Sequence, residues 1–437
     1  MKNYLQTLLR LFLMAIGFIS ISYCSNDDTI YTPSPPQDSI VIKKITAEMK
    51  LVQNYVPENA VIAHRGTTYW APESTESAYR WARNMGADYL EADLQITKDG
   101  VVLVMHDAHM KEKTDIQILS QDPSSIFYGK ADAPTSEFTY EELMQLNAAY
   151  PFMEKNQGTG RDRPSFNAQH QYITTLEDLM NFAIGKRIKR DSNGKRVWSK
   201  SKEGVYKFEY EDDPYDNGNR PGIYLELKQP ELNPGLEEAM AKLLAEHQWD
   251  ISITPSTDTN QFKLEKVNVG NTNGKVVLQT FLLSSLKKLN NIYHGKLPMA
   301  YLVSKGLMAQ TSGNSDEPLV YAQFINDGVS NGAQFFGPSI SGAPNNYDEL
   351  LNPWQAHMIR RSEMKIHPWT FDTEEQMMRY YEGIGFTNLN DYKSPPYCDA
   401  MFTNRADLTI QYYKKKGVRN DGPDYQDPNN ILNNLGY

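Results

Sequence analysis

The sequence predicts an α/β fold, a (β/α)₈ TIM barrel with a β-hairpin after its second strand and long loop insertions. Short apolar runs of β type alternate with stretches of helical spacing, a pattern typical of a parallel sheet covered by helices. Eight such runs occur, the number that closes a barrel of this kind. The predicted strands are 61–64, 89–93, 223–228, 276–281, 299–303, 333–336, 366–371 and 400–403. The predicted helices between them include 76–85, 176–184, 236–247, 283–289 and 374–382.

A further apolar run, residues 101–107, follows the second strand too closely for a helix to join the two. Asp99-Gly100 lies between them, and Asp-Gly favours a two-residue hairpin turn. With that turn, Asp93 lies directly opposite His106, and facing side chains of an antiparallel pair have Cβ atoms about 4.5–5.5 Å apart. We therefore expect a carboxylate and an imidazole to share one site beside the hairpin.

Composition and charge exclude several classes of partner and site. The 437 residues carry 44 Lys and Arg against 54 Asp and Glu, a net charge of −10, so we expect no nucleic-acid partner. Two cysteines, Cys24 and Cys398, are too few for a disulfide framework or a cysteine-based zinc site. We expect Cys398 to be a small buried residue.

The N-terminus has the pattern of an export signal. Lys2 and Arg10 precede the apolar run 11–21, which suits a signal peptide and is shorter than the ~20 residues of a spanning helix. The run ends in Ile-Ser-Tyr-Cys, which resembles the lipobox of bacterial lipoproteins and implies lipidation of Cys24. We expect residues 1–24 to be this signal, residues 25–55 to be a polar tether, and the chain to be a cell-envelope lipoprotein on the periplasmic or surface side. Ordinary secretion and an uncleaved anchor are the alternatives.

The C-terminal ends of the predicted strands carry many ionisable residues, and barrel enzymes build their active sites there. Glu91 and Asp93 are two positions apart, so both point to one side of their strand. Together with Glu226 they offer three oxygen ligands, which suit a hard divalent cation such as Ca²⁺ or Mg²⁺. We expect one such ion as the cofactor.

The remaining groups at these strand ends suit the cleavage of a phosphate ester. Histidine ordinarily titrates near neutral pH, so His64 and His106 are candidates for the general acid and the general base. Arg65 and Lys228 supply positive charge for an anionic phosphate. The sequence does not assign the acid and the base between the two histidines.

Several motifs surround these residues. The segments are Ala-His-Arg-Gly at 63–66, Ala-Pro-Glu-Ser-Thr-Glu-Ser-Ala at 71–78, residues 86–107, Thr-Thr-Leu-Glu-Asp-Leu at 174–179, Leu-Glu-Leu-Lys at 225–228, Gln-Thr-Phe at 279–281, Pro-Trp-Thr at 368–370 and Met-Phe-Thr-Asn-Arg at 401–405. In order and spacing they resemble the glycerophosphodiester phosphodiesterase family over residues 56–415. The resemblance implies a barrel that hydrolyses small glycerophosphodiesters to glycerol 3-phosphate and an alcohol with a divalent metal ion.

The resemblance also implies roles for individual residues. His64 and His106 match the acid–base pair, Glu91, Asp93 and Glu226 match the metal ligands, and Arg65 and Lys228 match phosphate-contacting positions.

Four further positions are less fully defined by the family motifs. Glu73 stands in a Pro-Glu-Ser-Thr version of a Pro-Glu-Asn-Thr motif and is expected to support the site. Trp369 and Phe281 are expected to wall the substrate, with packing as the alternative. Asn404 stands where the family usually has Asp, so no charged role carries over to it.

Two other functions remain as alternatives. One is a phospholipase C or D-like phosphodiesterase that acts on intact lipid, and the other is a non-catalytic lipoprotein that binds a sugar phosphate. We expect the surplus length to be an insertion at about 108–222 on the active-site side of the barrel, with its charged stretch 186–216 solvated. Residues 416–437 are expected to form a polar tail.

Overall fold

The computed structural model describes residues 37–155, 166, 170–311, 314–386 and 395–437. The signal peptide and Cys24 lie outside these residues, as does the start of the predicted tether. No helix of the described part is long and apolar enough to cross a membrane. The strands are β1 (Ala60–Ala63), β2 (Tyr89–Ile96), β3 (Val102–Val104), β4 (Lys186–Ile188), β5 (Trp198–Lys200), β6 (Tyr206–Phe208), β7 (Tyr210–Asp212), β8 (Gly222–Leu227), β9 (Phe262–Lys263), β10 (Lys266–Val267), β11 (Val276–Thr280), β12 (Met299–Val303), β13 (Phe335–Pro338), β14 (Lys365–Ile366) and β15 (Ala400–Thr403).

The helices cover the outside of the sheet, and several begin at threonine caps. Thr75 accepts a hydrogen bond from the backbone N–H of Ala78, and Thr175 and Thr373 form capping boxes. The helices are α1 (Ala47–Gln53), α2 (Glu76–Met85), α3 (Ile116–Leu119), α4 (Tyr140–Leu143), α5 (Tyr150–Lys155), α6 (Leu176–Ala183), α7 (Leu236–Glu246), α8 (Leu283–Tyr293), α9 (Lys305–Thr311), α10 (Pro318–Ser330), α11 (Pro353–Arg361), α12 (Glu374–Glu382), α13 (Ala406–Lys415) and α14 (Pro428–Asn434).

Eight parallel strands form a nearly closed barrel, as the sequence predicts. Their order is β14-β13-β12-β11-β8-β2-β1-β15, and all of these neighbours pair in parallel. A parallel bridge between Phe371 and Thr403 joins the two ends of that order. The seam therefore brings the segment after β14 against β15.

The barrel interior changes from apolar to ionisable along the strands. Ala60 and Ile62 lie in a buried apolar cluster with Tyr89 and Tyr224. Because side chains alternate along a strand, the same inward faces continue to the ionisable residues at the C-terminal ends. His367 belongs to the interior below the site, where the Tyr224 hydroxyl lies 3.2 Å from its Nδ1. Cys398 is buried, as expected.

The hairpin after β2 forms, but its predicted register is wrong by one residue. Leu94 pairs with Val104, and the backbone N–H of Met105 donates to the carbonyl of Asp93 at 2.8 Å. The loop has three residues because Gly100, at φ +83°, adopts a left-handed conformation that accommodates the longer turn. Met105, not His106, therefore lies opposite Asp93.

The charged stretch 186–216 is only partly solvated: many of its residues are exposed, as predicted, but Arg196 and Asp213 are buried. β4 pairs with β7 and β5 pairs with β6, and β4 packs beside α2 and α6. The Asp213 carboxylate is buried and accepts hydrogen bonds from Arg80 Nη2 at 2.7 Å and Arg83 Nη2 at 2.6 Å. Arg196 Nη2 donates to Asp178 Oδ1 at 2.5 Å in a second buried pair. This part of the insertion stabilises the helical layer instead of extending the active-site face.

Both ends of the described chain pack against the barrel. The predicted tether is wrong for residues 37–55, because Gln53 Nε2 donates to the carbonyl of Gln334 at 2.9 Å and Val52 is buried. The polar tail also folds onto the body, where buried Arg419 forms an ion pair with Asp88. Leu432 of α14 is fully buried.

Candidate active site

Three carboxylates converge at the mouth of the barrel. Glu91 and Asp93 are on β2, and Asp93 is the direct register partner of Glu226 on β8. One ligand atom from each of the three lies within 4.8 Å of the others, and all three residues are buried. The predicted metal ligands therefore lie together.

The electrostatics of these carboxylates suit a divalent cation. Burial, with the neighbouring Asp93 carboxylate, raises the pKa of Glu91 well above its usual range. Burial raises the pKa of Glu226 to about 7, with Lys228 opposing that shift and Asp93 adding to it. The buried Oδ2 of Asp93 makes no hydrogen bond. A divalent cation would remove the mutual repulsion of the carboxylates and give this oxygen a partner in addition to the Arg65 guanidinium, so the residues fit the expected metal.

Arg65 lies beside the three carboxylates. Its backbone N–H donates to Glu91 Oε2 at 2.8 Å, and its Nε lies 3.2 Å from Asp93 Oδ2. Arg65 has a φ of 54°, a left-handed conformation that costs a residue with a side chain on the order of 1–3 kcal/mol. The local backbone is strained, and this strained conformation holds the guanidinium at the site.

Lys228 approaches the carboxylates from β8. Its Nζ lies 3.1 Å from Glu226 and 3.8 Å from Asp93. Burial alone would raise the pKa of Asp93, but His106, Arg65 and Lys228 outweigh it and hold that pKa below the usual range. Asp93 is therefore the carboxylate that stays ionised most readily.

Glu73 connects Arg65 to the insertion. Its carboxylate lies 3.2 Å from Arg65 Nη1 and 2.7 Å from Lys113 Nζ. Burial opposes ionisation, but Arg65 and Lys113 outweigh it and lower the pKa of Glu73 to about 2. Lys113 Nζ also lies 3.4 Å from Asp107. Lys113 was not predicted as a site residue, because no sequence motif contains it.

The two histidines have different partners. His64 Nδ1 lies 2.7 Å from Asn404 Oδ1, and His106 Nδ1 lies 2.6 Å from Asp107 Oδ1. Burial and the adjacent Arg65 lower the pKa of His64 to about 3. Burial also lowers the pKa of His106, although the Asp93 and Asp107 carboxylates oppose that shift. His106 is near enough to lower the pKa of Asp93, although Met105 is the residue opposite Asp93 in the hairpin.

Aromatic side chains form one wall of the mouth. The Phe281 ring packs edge-on against Trp369, with centroids 5.7 Å apart, and Lys228 Nζ lies 5.6 Å from the Phe281 centroid. Tyr347 also packs edge-on against Trp369, with ring centroids 4.9 Å apart. Tyr347 comes from the loop after β13, and no sequence pattern marked it.

Two clefts share His106. A cleft of about 260 Å³ is lined by Glu226, Lys228 and Phe281. A second, of about 200 Å³, is lined by Glu73 and Lys113 of the site. A ligand bound at the carboxylates therefore has room on both sides of His106.

Comparison with known proteins shows a similarity to one family. The model of the glycerophosphoryl diester phosphodiesterase family matches residues 64–210, which contain both histidines, Arg65, Glu91 and Asp93. A glycerophosphodiester phosphodiesterase of Bacillus subtilis is 25% identical over 334 residues, which cover 76% of this chain and 83% of that protein. The chain is thus similar to the glycerophosphoryl diester phosphodiesterase family over about its first half. A mouse glycerophosphoinositol inositolphosphodiesterase is 32% identical over 144 residues, which cover 32% of this chain and 25% of the mouse protein.

The solved structures support the same fold. A Silicibacter pomeroyi structure assigned to the glycerophosphoryl diester phosphodiesterases has a TM-score of 0.52 and 17% identity. It matches 84% of this chain and 98% of its own length. The predicted barrel is thus confirmed. The roles of the individual site residues stay predictions.

Proposed function

We propose that the chain hydrolyses glycerophosphodiesters to glycerol 3-phosphate and an alcohol, assisted by one divalent metal ion. The observation that carries this proposal is the convergence of three buried carboxylates, two histidines and two cations at the barrel mouth. Each of these groups has a use in the cleavage of an anionic phosphate ester.

Glu91, Asp93 and Glu226 would hold the ion, and Ca²⁺ or Mg²⁺ suits their oxygen ligands. When bound, the ion supplies Lewis acidity to the phosphate. Arg65 and Lys228 neutralise phosphate charge from two sides of the carboxylates. The aromatic wall of Phe281 and Trp369 limits where the organic part of the substrate can lie.

The two histidines move the protons of the reaction. One takes a proton from the attacking hydroxyl, which is either the substrate's own glycerol 2-hydroxyl or water. The other gives a proton to the oxygen of the leaving alcohol as its bond to phosphorus breaks. Attack by the 2-hydroxyl gives a cyclic phosphate, which water then opens to glycerol 3-phosphate.

Product analysis tests this proposal. We expect the purified chain with Ca²⁺ or Mg²⁺ to release glycerol 3-phosphate from soluble substrates such as glycerophosphocholine, glycerophosphoethanolamine or glycerophosphoglycerol. Intact phospholipid in vesicles serves as the comparison and should be turned over more slowly. Turnover of vesicle lipid alone would favour a phospholipase, and binding of glycerol phosphates without turnover would favour the non-catalytic alternative.

We further propose that the chain is exported and held at the cell envelope by a lipid on Cys24. Support comes from the apolar run 11–21 and the lipobox-like sequence that ends at Cys24. In a bacterial host, Cys24→Ser should abolish incorporation of labelled fatty acid and release the protein from the membrane fraction. Equal labelling of both proteins would contradict the anchor, and Cys398→Ser is the matched control.

A further inference from the structure

Lys113 lies near the start of the insertion, in a turn whose backbone is well anchored. Its N–H donates to the carbonyl of Met110 at 3.0 Å, and the N–H and the hydroxyl of Thr114 donate to the same carbonyl at 2.9 and 3.1 Å. Met110 and Thr114 are buried. The lysine side chain therefore reaches the active site from a fixed base.

The Lys113 ammonium joins two carboxylates. Its Nζ lies 2.7 Å from Glu73 Oε1 and 3.4 Å from Asp107 Oδ2, and the lysine side chain is only 19% exposed. Because both oxygens lie so near one nitrogen, the two negative charges are close to each other. An ammonium between them offsets their repulsion and fixes both carboxylates.

Each of the two carboxylates also holds one side chain of the candidate active site. Glu73 lies 3.2 Å from Arg65 Nη1, and Asp107 Oδ1 lies 2.6 Å from His106 Nδ1. The contact through Glu73 is the better shielded from water, since Asp107 is 43% exposed and Glu73 24%. A shift of Glu73 would therefore move Arg65, and a shift of Asp107 would move His106.

We propose that Lys113 is a positioning residue, which holds Glu73 and Asp107 in place and through them orients Arg65 toward the phosphate and His106 toward the reacting oxygen. This inference rests on the proposed function. Lys113 also lines the cleft of about 200 Å³ beside His106, so direct contact with the substrate is the competing role.

Substitution of Lys113 gives the first test. Lys113→Met removes the charge but keeps a side chain of similar length, and kcat/KM for a glycerophosphodiester should fall roughly 10²-fold, the cost of a misplacement of about 1 Å. Lys113→Arg keeps a cation between the carboxylates and should restore most of the lost activity. Lys111→Met is the matched control and should retain wild-type kcat/KM, because Lys111 pairs with exposed Asp132 at 3.3 Å.

A double-variant cycle separates positioning from direct contact with the substrate. If Lys113 acts mainly through Glu73, its loss matters little once Glu73 is uncharged. In the Glu73→Gln background, the loss caused by Lys113→Met should therefore shrink from roughly 10²-fold to a few-fold, since only the contact with Asp107 remains. An equal loss in both backgrounds would overturn the inference. A lower thermal midpoint for Lys113→Met with unchanged kcat/KM would overturn it as well, because the role would then be structural.

NMR tests the positioning without any activity. The ¹H–¹⁵N signals of the Arg65 guanidinium and the His106 ring, assigned with Arg65→Lys and His106→Gln, should shift in Lys113→Met. They should return toward their wild-type positions in Lys113→Arg and stay unchanged in Lys111→Met. Unshifted signals of both groups in Lys113→Met would overturn the inference. Failure of the proposed function would show separately, as a wild-type chain that releases no glycerol 3-phosphate while these signals still respond to Lys113→Met.

Discussion

Replacement of His106 by alanine should lower kcat/KM for a glycerophosphodiester by at least ~10²–10⁴-fold, the usual contribution of a general acid or base. His64→Ala should cause a loss of the same order. The expectation rests on the electrostatic interaction of both rings with Asp93 and on the hydrogen bonds that orient the rings. Steady-state kinetics at saturating metal measures it.

An adjacent histidine provides the matched control. His109 is exposed and its Nδ1 lies 2.7 Å from the carbonyl of Asp132, away from the carboxylates. His109→Ala should retain wild-type kcat/KM. Full activity in either His64→Ala or His106→Ala would remove that residue from the catalytic pair.

A second large loss of activity is expected when one carboxylate of the proposed metal site is removed. Glu226→Gln keeps the size of the side chain but removes a charged oxygen from the proposed metal site. Since a metal supplies several kcal/mol of charge stabilisation, we expect activity at limiting metal to fall by about 10³-fold, with partial recovery as metal concentration rises. Activity that does not depend on metal concentration would contradict the assignment.

Stability distinguishes a functional carboxylate from a structural one. Burial, with the Asp93 carboxylate adding to it, raises the pKa of Glu226, so the ionised form of Glu226 is disfavoured without a metal ion. In the presence of chelator, Glu226→Gln should therefore not lower the thermal midpoint, although it lowers activity. Glu246→Gln, an exposed change on α7, should affect neither quantity. A lower midpoint for Glu226→Gln alone would indicate a structural role.

The barrel and the central site were predictable because both depend on strand period. Residues two positions apart share a face, so Glu91 with Asp93 and Glu226 with Lys228 can be placed from the sequence once the strands are recognised. The hairpin register was not predictable in the same way. A left-handed Gly100 allows a third loop residue, and the Asp-Gly pair alone does not separate that loop from a two-residue turn.

Contacts between distant segments account for the remaining differences between the predicted and the observed structure. The charges of stretch 186–216 suggested solvent exposure, yet Asp213 pairs with Arg80 and Arg83 on α2, more than a hundred positions earlier. Asp372 reaches His64 through Asn404 only after the barrel closes. Such pairs depend on three-dimensional packing, which no local sequence pattern predicts.

Metal dependence of the phosphodiesterase site is tested most directly by titrating the metal-stripped chain with Ca²⁺ or Mg²⁺. Metal binding and glycerol 3-phosphate release are both followed during the titration. We expect activity to be absent before metal is added, to rise with occupancy and to saturate at one ion per chain. Glycerol 3-phosphate release at the full rate from the metal-stripped chain, or metal binding that leaves the rate unchanged, would contradict a metal-dependent phosphodiesterase site at Glu91, Asp93 and Glu226.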